Sequence, residues 1–407
     1  MTGISTRWYF TPSVIIVAGC LVAMVNFGVR SSFGLFTGPI SAAHEWPREI
    51  FSFALALQNL LWGVATPVAG ALADRYGAAR VLMVGAVSYA IGTVIMAIAE
   101  APLLFSIGGG ILVGIGVAMS SFGIVMAALG RMVPPEKRSW AFGIATASGS
   151  MGQFIFAPLG GALISAFGWY NALLFLAAST LLIIVFALPL MVQNTSGSKA
   201  QAGEADITLR AAITRAFGHR SYVLLVSGFF VCGFQLAFIT VHLPPYLAEH
   251  RISAEIAGLA MGAIGLFNVA GSYASGIIGG KYSKRLPLSL IYFLRSIAIA
   301  AFILLPVTVA STFLFTATMG FLWLSTVPLT MGLVTVMFGT RYMATLYGFV
   351  FLSHQVGSFF GVWLGGRLYD QFGSYDIVWW MGIALGLFAA LVHLPIREQR
   401  AAQFAAA

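Results

Sequence analysis

Long uncharged apolar runs recur along the whole chain, and they constrain its fold more than any other feature. A helix needs roughly 20 apolar residues to cross about 30 Å of hydrocarbon. Hydrophobic residues make up 59% of the chain and charged residues 8%, whereas soluble domains carry about 25% charged residues. The runs predict an all-α membrane protein with twelve spans near residues 12–38, 49–72, 79–99, 103–130, 139–166, 169–191, 222–247, 254–279, 287–306, 311–338, 342–369 and 375–395.

The loop charges orient these spans. With both termini in the cytoplasm, sixteen of the 21 Lys and Arg residues lie in cytoplasmic segments, as the positive-inside rule requires. The net charge of +9 is then explained by topology and by anionic lipid headgroups, so we expect no nucleic acid partner. The first run is too long for the core of a cleaved signal peptide and is expected to be retained. We predict a monomeric multi-pass protein of the plasma membrane, which in bacteria is the inner membrane.

The two halves of the chain are related in sequence. Shifted by 205 positions, residues 143–170 match residues 348–375 at eleven of 28 places. Both segments are odd-numbered spans of their half, so the halves are parallel six-helix repeats. The predicted domains are 1–191 and 222–407, joined by a polar cytoplasmic linker at 192–221. Such repeats are typical of transporters whose site lies near mid-bilayer, where the halves meet.

The loop after the second span reads GALADRYGAAR. Its spacing of Gly70, Asp74, Arg75, Gly77 and Arg80 resembles the loop signature of the major facilitator superfamily. In this chain the corresponding loop after the eighth span has a glycine in place of the aspartate. The resemblance implies the major facilitator fold. An aspartate near a helix end can accept backbone N–H groups of a facing helix, so we predict a gating latch. A tight turn with solvated charges is the alternative.

Two arginines, Arg30 and Arg295, lie within spans, while all twelve Asp and Glu residues fall in loops or at span ends. A buried arginine costs about 2.5–3.5 kcal/mol, and its planar fork matches a carboxylate with two hydrogen bonds. For Arg30 we predict an anionic substrate as the partner; snorkelling to the outer headgroups is the alternative. For Arg295, a structural role on the carbonyls of a neighbouring helix is at least as well supported as a substrate role.

Polar side chains at helical spacing extend this candidate site. Asn26 and Arg30 share one stripe of the first span, and Cys232 and Gln235 lie on the matching stripe of the seventh. The predicted substrate-binding residues are Arg30, Asn26, Gln58, Asn59, Gln235, Asn268, His354 and Gln355. His354 lies midway through the eleventh span, where an imidazole can carry a proton or bind a carboxylate. A neutral packing histidine is an equal alternative.

The stretch FGVRSSFGLF around Arg30 resembles the first span of monocarboxylate porters, which include the animal lactate and pyruvate carriers. The resemblance implies transport of small monocarboxylates, commonly with a proton. Those carriers place an aspartate and, four residues later, an arginine in the eighth span, where this chain has Asn268 and Ser272. A single cavity cation favours one carboxylate per substrate and leaves proton coupling open.

Other functions make different demands on the sequence. An exporter of amphipathic or drug-like metabolites is one alternative, although the fourth span lacks the arginine that drug exporters typically carry there. A membrane sensor that binds its ligand without transport is another. No zinc spacing, paired carboxylates, nucleophile elbow or phosphate loop occurs, so we expect no enzyme, catalytic residue, metal or cofactor. Cys20 and Cys232 both lie in spans, and no disulfide is expected.

Overall fold

Helices make up nearly all of the described chain. The computed structural model describes residues 12–46, 48–195, 207–252, 254–401 and 404, and no strand occurs in these ranges. The helices are α1 Pro12–Ser32, α2 Thr37–His44, α3 Arg48–Tyr76, α4 Ala78–Ile98, α5 Pro102–Phe105, α6 Val113–Met119, α7 Phe122–Met132, α8 Pro135–Ala187, α9 Leu209–Phe217, α10 Arg220–Glu249, α11 Ala254–Lys281, α12 Arg285–Leu304, α13 Val309–Leu322, α14 Thr326–Phe338, α15 Met343–Phe372 and α16 Asp376–His393. Ten segments are long and apolar enough by themselves to cross a membrane. The fifth span, in the first part of α8, and the eleventh, α15, complete the predicted twelve.

The fifth and sixth spans form one continuous element, α8, with a sharp bend at Gly168. This residue has φ 77° and ψ 162°, a conformation that glycine adopts readily and that other residues avoid. The chain therefore turns between two spans without a loop. The sequence predicts a boundary between residues 166 and 169, and the bend lies inside that interval.

The fourth and tenth spans are interrupted near their middle. The fourth breaks between α6 and α7 at Ser120, and the tenth breaks between α13 and α14 at Ser325. The two serines are 205 positions apart, which is the shift that relates the repeats. The sequence predicts the two spans, near residues 103–130 and 311–338, but not these breaks. The difference matters, because a helix break frees backbone N–H and C=O groups that other residues must satisfy.

The two halves of the molecule touch along α3 with α15 and along α8 with α11. Gly143 and Gly276 meet back to back, since a Cβ added to Gly143 would lie 2.6 Å from the Cα of Gly276. Gly70 is as close to Ala344, whose carbonyl carbon would lie 2.6 Å from an added Cβ. These contacts lie toward the end of the bundle that carries the 70–80 loop. The halves are therefore packed tightly against each other at that end.

Replacing Gly143 by Val should lower the thermal stability of the protein. The added side chain would collide with α11, and overpacking of this kind costs about 1–3 kcal/mol. Gly161 is the matched control in the same helix, because nothing lies within 4 Å of a Cβ added there. The melting temperature in detergent should fall for Gly143→Val and change little for Gly161→Val. Equal falls would mean that the helix itself, rather than the contact between halves, resists the substitution.

Glu398 ties the segment after α16 to the start of α12. Its carboxylate accepts hydrogen bonds from the Arg285 backbone N–H at 2.8 Å and from the Ser283 hydroxyl at 2.5 Å. Partial burial favours the neutral acid, but these hydrogen bonds outweigh burial and lower the pKa of Glu398. Because folding lowers this pKa, the ionised Glu398 side chain stabilises the folded protein at pH values above its unfolded-state pKa. That contribution is lost as the pH falls through the folded-state pKa.

Glu398→Gln should therefore reduce the acid sensitivity of the fold. Between about pH 7 and about pH 4, the melting temperature of the wild type is expected to fall further than that of the variant. The exposed Glu100, changed to Gln, provides the control. If Glu398→Gln and wild type lose the same number of degrees, the hydrogen bonds to Ser283 and Arg285 do not contribute to stability.

Candidate functional site

Arg30 lies in the last turn of α1 and is half-buried. Its Nη2 donates a hydrogen bond to Oδ1 of Asn59 on α3. Its guanidinium carbon lies 4.6 Å from the ring centroid of Trp62, a cation–π distance. The described carboxylates form no ion pair with Arg30, and its buried Nε has no hydrogen-bond partner. A guanidinium has five N–H donors. The Arg30 guanidinium therefore still has N–H groups that can donate to an acceptor outside the described chain.

A line of hydrogen bonds runs from Arg30 into the other half of the molecule. The backbone carbonyl of Asn59 accepts from Nε2 of Gln355 at 3.1 Å. Oε1 of Gln355 lies 3.0 Å from Nδ1 of His354, the residue before it on α15. Four predicted site residues, two from each half, are thus brought together. We call Arg30, Asn59, Gln355 and His354 the polar line.

Aromatic side chains flank the polar line. The ring centroid of Phe351 lies 4.7 Å from that of Trp62 and 5.3 Å from that of His354. The ring centroid of Phe27 lies 5.9 Å from that of Trp62. Trp62 is buried, and its indole N–H, like Nε of Arg30, has no partner. The sequence prediction missed this tryptophan, although it lies three residues after Asn59 and so on the same helix face.

Three predicted site residues are buried inside their own half and do not join the polar line. Asn26 donates to Ser120 at the break of the fourth span. Gln58 donates at 2.9 Å to a carbonyl of the π-helical segment between α5 and α6. Gln235 donates at 2.9 Å to a carbonyl of α16. In this conformation Gln58 and Gln235 bond to backbone carbonyls of neighbouring helices, and Asn26 bonds to the Ser120 hydroxyl and, at 3.4 Å, to the Val117 carbonyl.

Asn268 forms a second junction between the halves. Its Nδ2 donates to Oγ of Ser150 on α8 at 2.8 Å. Its Oδ1 accepts from the Leu324 backbone N–H at 3.0 Å and from the Ser272 hydroxyl at 3.1 Å. Leu324 lies in the break of the tenth span. The Asn268 side chain therefore bonds both to the broken helix and to Ser150 in the other half.

Arg295, on α12, bonds to the same broken helix. Its Nη2 donates to the carbonyls of Leu322, at 2.6 Å, and Trp323. Its Nη1 lies 3.4 Å from Sγ of Cys232 on α10. Arg295 is fully buried, and the break explains why carbonyls are free to receive it. This is the carbonyl-binding geometry that the sequence offers as one of two alternatives for this residue.

Asp74, in the last turn of α3, bonds to residues of both halves; the predicted 70–80 loop is helical in the structure except at Gly77. Oδ1 of Asp74 lies 3.0 Å from Nη1 of Arg131 on α7. Its Oδ2 accepts from the backbone N–H of Thr345 at 3.1 Å and from the Thr345 hydroxyl at 2.8 Å. Thr345 lies in the first turn of α15, where backbone N–H groups lack helical partners. The carboxylate therefore holds the start of a helix in the opposite half.

The other predicted residues of this loop have different surroundings. Gly70 packs on the backbone of α15, and Gly77, with φ 93°, precedes α4. Arg75 and Arg80 are exposed, and the Arg75 guanidinium lies 5.1 Å from the ring centroid of Tyr76. Exposed basic residues at a helix end are placed to meet solvent or lipid headgroups rather than the other half.

Twelve spans in two parallel repeats, with polar side chains joining the two halves, are typical of membrane transporters. A family model described as Major Facilitator Superfamily matches residues 19–362. The chain belongs to this superfamily, and the predictions of its fold and its class are confirmed.

Several named transporters are similar over almost the full chain. An MFS-type transporter of Bacillus subtilis, YcxA, is 24% identical over 92% of this chain and 92% of its own length. Monocarboxylate transporter 11 of Mus musculus is 26% identical over 89% of this chain and 82% of its own. An oxalate:formate antiporter of Oxalobacter formigenes is 23% identical over 91% and 87%.

A solved structure supports the fold independently. The fucose:proton symporter FucP of E. coli superimposes with a TM-score of 0.71 over 95% of this chain and 98% of its own. Sequence identity is 15%, so the likeness concerns architecture alone.

Proposed function

We propose that the protein carries a small organic anion with one carboxylate across the membrane by alternating access, and that Arg30 binds the carboxylate. One observation carries this proposal. The Arg30 guanidinium, which no described carboxylate neutralises, lies over the ring of Trp62, and its own Nε–H and the indole N–H of Trp62 are both buried donors without a partner. A carboxylate can accept several such bonds, and charge-assisted ones are roughly twice as strong as neutral ones.

Two further facts support an anion of this class. The relatives named above include a monocarboxylate transporter and an oxalate:formate antiporter, which are named for carboxylate anions. The polar line contains one permanent cation, Arg30, which favours one carboxylate over two. A proton travelling with the anion would need a titratable group at the same depth, and His354 is available at the other end of the line.

The aromatic side chains favour a second candidate, export of an amphipathic metabolite. Phe27, Trp62 and Phe351 form a contiguous aromatic cluster next to Arg30, which suits a substrate with an apolar body. Such a substrate would still present an acidic group to Arg30. The two candidate functions therefore share Arg30 as the anion-binding residue and differ in the size of the apolar part of the substrate.

Movement in this proposal is divided between the two halves, 1–191 and 222–407, with 192–221 as the linker. The Asp74 latch and the glycine contacts close the end that we assign to the cytoplasm, where both termini would lie. Opening that end and closing the other would transfer the bound anion from one side to the other. The membrane would be the plasma membrane.

A thermal-shift panel on the purified protein tests the proposal. Ligands that bind only the folded state raise the melting temperature by mass action. We expect monocarboxylates to raise it, and their uncharged amides and the corresponding dicarboxylates to leave it unchanged. A longer apolar tail that increases the shift would favour the amphipathic substrate. Stabilisation by the amides equal to that by the acids would contradict an anion site.

A further inference from the structure

We propose that a groove between α4 and the sixth span, in the second part of α8, binds one anionic phospholipid, with its phosphate at Arg80 and one acyl chain along α4. The site is separate from the polar line and does not depend on the proposed transport of an anion. Three features support it: a continuous apolar groove, a basic residue at one end of that groove, and the different surroundings of the equivalent arginine in the second half.

The groove is formed where α4 packs on the π-helical segment 106–112 and on α8. It has two parts, with volumes of about 460 Å³ and about 260 Å³, and both parts are lined by Val87 and Ile91. The groove is therefore continuous from Met83 to Ile95. Twelve helical steps span about 18 Å, which is close to the hydrocarbon thickness of one leaflet, about 15 Å or half of the bilayer core.

The walls of the groove suit a hydrocarbon chain. Apart from Ser88, the side chains that line it are apolar. The Ser88 hydroxyl donates to the carbonyl of Leu112 at 2.9 Å, so its hydrogen is already used within the protein. Val84, Val87 and Ile91 are exposed, as expected of side chains that meet lipid. An acyl chain can bury these surfaces, whereas a polar ligand would find no unused side-chain donor along the groove.

Arg80 places a positive charge at one end of the groove. Arg80, Val84, Val87 and Ile91 follow one another at steps of four, three and four, so they share one face of α4. Residues at this spacing have Cβ atoms about 5–6 Å apart, and Arg80 therefore lies one helical turn before the first groove residues. It is exposed, in the first turn of α4. A guanidinium binds a phosphate group with paired, charge-assisted hydrogen bonds.

The equivalent arginine of the second half already has protein partners. Arg285, 205 positions after Arg80, donates through Nη1 to the carbonyls of Leu394, at 2.9 Å, and Ile396, at 3.3 Å. These carbonyls follow the last span, α16. Among the described residues, Arg80 forms no hydrogen bond and no ion pair. The charge of Arg80 is thus available to a ligand at a position where Arg285 is occupied by the chain itself.

The local charge favours an anionic headgroup over a zwitterionic one. Asp74 is the one carboxylate of residues 70–80, and it is paired with Arg131 at 3.0 Å. Arg75 and Arg80 are both exposed. A choline or ethanolamine group near Arg80 would meet a second basic residue and a carboxylate that is already neutralised, whereas an uncharged glycerol group avoids this repulsion.

Native mass spectrometry of the purified, delipidated protein tests the headgroup. Wild type should bind one phosphatidylglycerol more tightly than phosphatidylcholine with the same acyl chains. Arg80→Gln should lower the affinity for phosphatidylglycerol about fivefold, to the level of phosphatidylcholine. Arg75→Gln removes the same charge from a side chain whose guanidinium lies over the Tyr76 ring, off the groove face, and should bind both lipids as wild type does.

A second pair of variants tests the groove. Val87→Trp fills both of its parts and should weaken binding of both lipids. Leu290→Trp, at an exposed position of α12, is the control and should bind as wild type. Melting temperatures without lipid identify variants that are folded, and Arg80→Gln keeps the test decisive should Val87→Trp fail to fold.

Three results would overturn the proposal. One is equal affinity of wild type for the two lipids, and another is an equal loss in Arg75→Gln and Arg80→Gln, which would mean general surface charge rather than a site. The third is unchanged lipid binding in folded Val87→Trp. A dimer of wild type that disappears in Val87→Trp would assign the groove to a second copy of the chain, and would also overturn it. None of these results bears on anion binding at Arg30.

Discussion

Replacing Arg30 by Gln should abolish measurable binding of the anion while leaving the protein folded. Truncating one partner of a buried charged pair costs about 2–5 kcal/mol, which is at least about a 30-fold loss of affinity. The fold should tolerate the change, since the described hydrogen bond of the side chain is the one to Asn59 and glutamine can still donate there. Titration calorimetry with the monocarboxylate that gives the largest thermal shift measures the effect.

Two further variants show whether the loss is due to charge or to geometry. Arg30→Lys keeps the charge but loses the planar fork, and its affinity is expected between those of wild type and Arg30→Gln. Trp62→Phe removes one unpartnered N–H donor and keeps the aromatic surface, so a smaller loss is expected. Wild-type affinity in Arg30→Gln would mean that the arginine is structural, and that the anion binds elsewhere.

Replacing Asp74 by Ala should open the end of the molecule that the 70–80 loop closes. The change removes the ion pair to Arg131 and both hydrogen bonds from Thr345. Breaking a buried pair costs about 3–5 kcal/mol; because Arg131 is partly exposed, we expect about 2 kcal/mol, or roughly a 30-fold shift toward conformations open at this end. Anion binding at Arg30 should be weakened far less than transport.

Cysteine labelling reports this shift. Ser139 of α8 is buried against α11, and a cysteine introduced there should react with a water-soluble maleimide much faster when Asp74 is replaced. The parent without the Ser139→Cys change gives the baseline from Cys20 and Cys232. Arg75→Gln, which changes the exposed neighbour of Asp74 in α3, is the matched control and should not change the rate. Unchanged labelling in Asp74→Ala would show that the glycine contacts alone keep this end closed.

The sequence is sufficient to predict the fold because membrane spans are encoded by composition over about 20 residues. Twelve spans, the parallel repeats and the superfamily all follow from apolar runs, the 205-residue shift and the loop around Asp74. The breaks at Ser120 and Ser325 were not predicted. Neither serine is a strong helix breaker by itself; the breaks are stabilised by Asn26, Asn268 and Arg295 from other helices, and such contacts do not appear in local sequence.

The candidate site is predictable in part for a similar reason. Helical spacing gives the face on which a residue lies, but not which neighbouring helix covers that face. Gln58 and Gln235 therefore look like Asn59 in sequence, although they bond to carbonyls inside their own half. Arg30 stands out because a charge without a partner is costly in a membrane. Trp62 was missed because aromatic residues in membrane helices are usually packing residues.

The most direct test of the transport mechanism is counterflow with a labelled monocarboxylate in proteoliposomes. Vesicles loaded with the unlabelled acid and containing wild type should take up label transiently above equilibrium, whereas vesicles with Arg30→Gln should match protein-free vesicles. That result would identify a transported monocarboxylate bound at Arg30. Equal counterflow by wild type and Arg30→Gln, or none by wild type with any acid that raises its melting temperature, would contradict transport of an anion through this site.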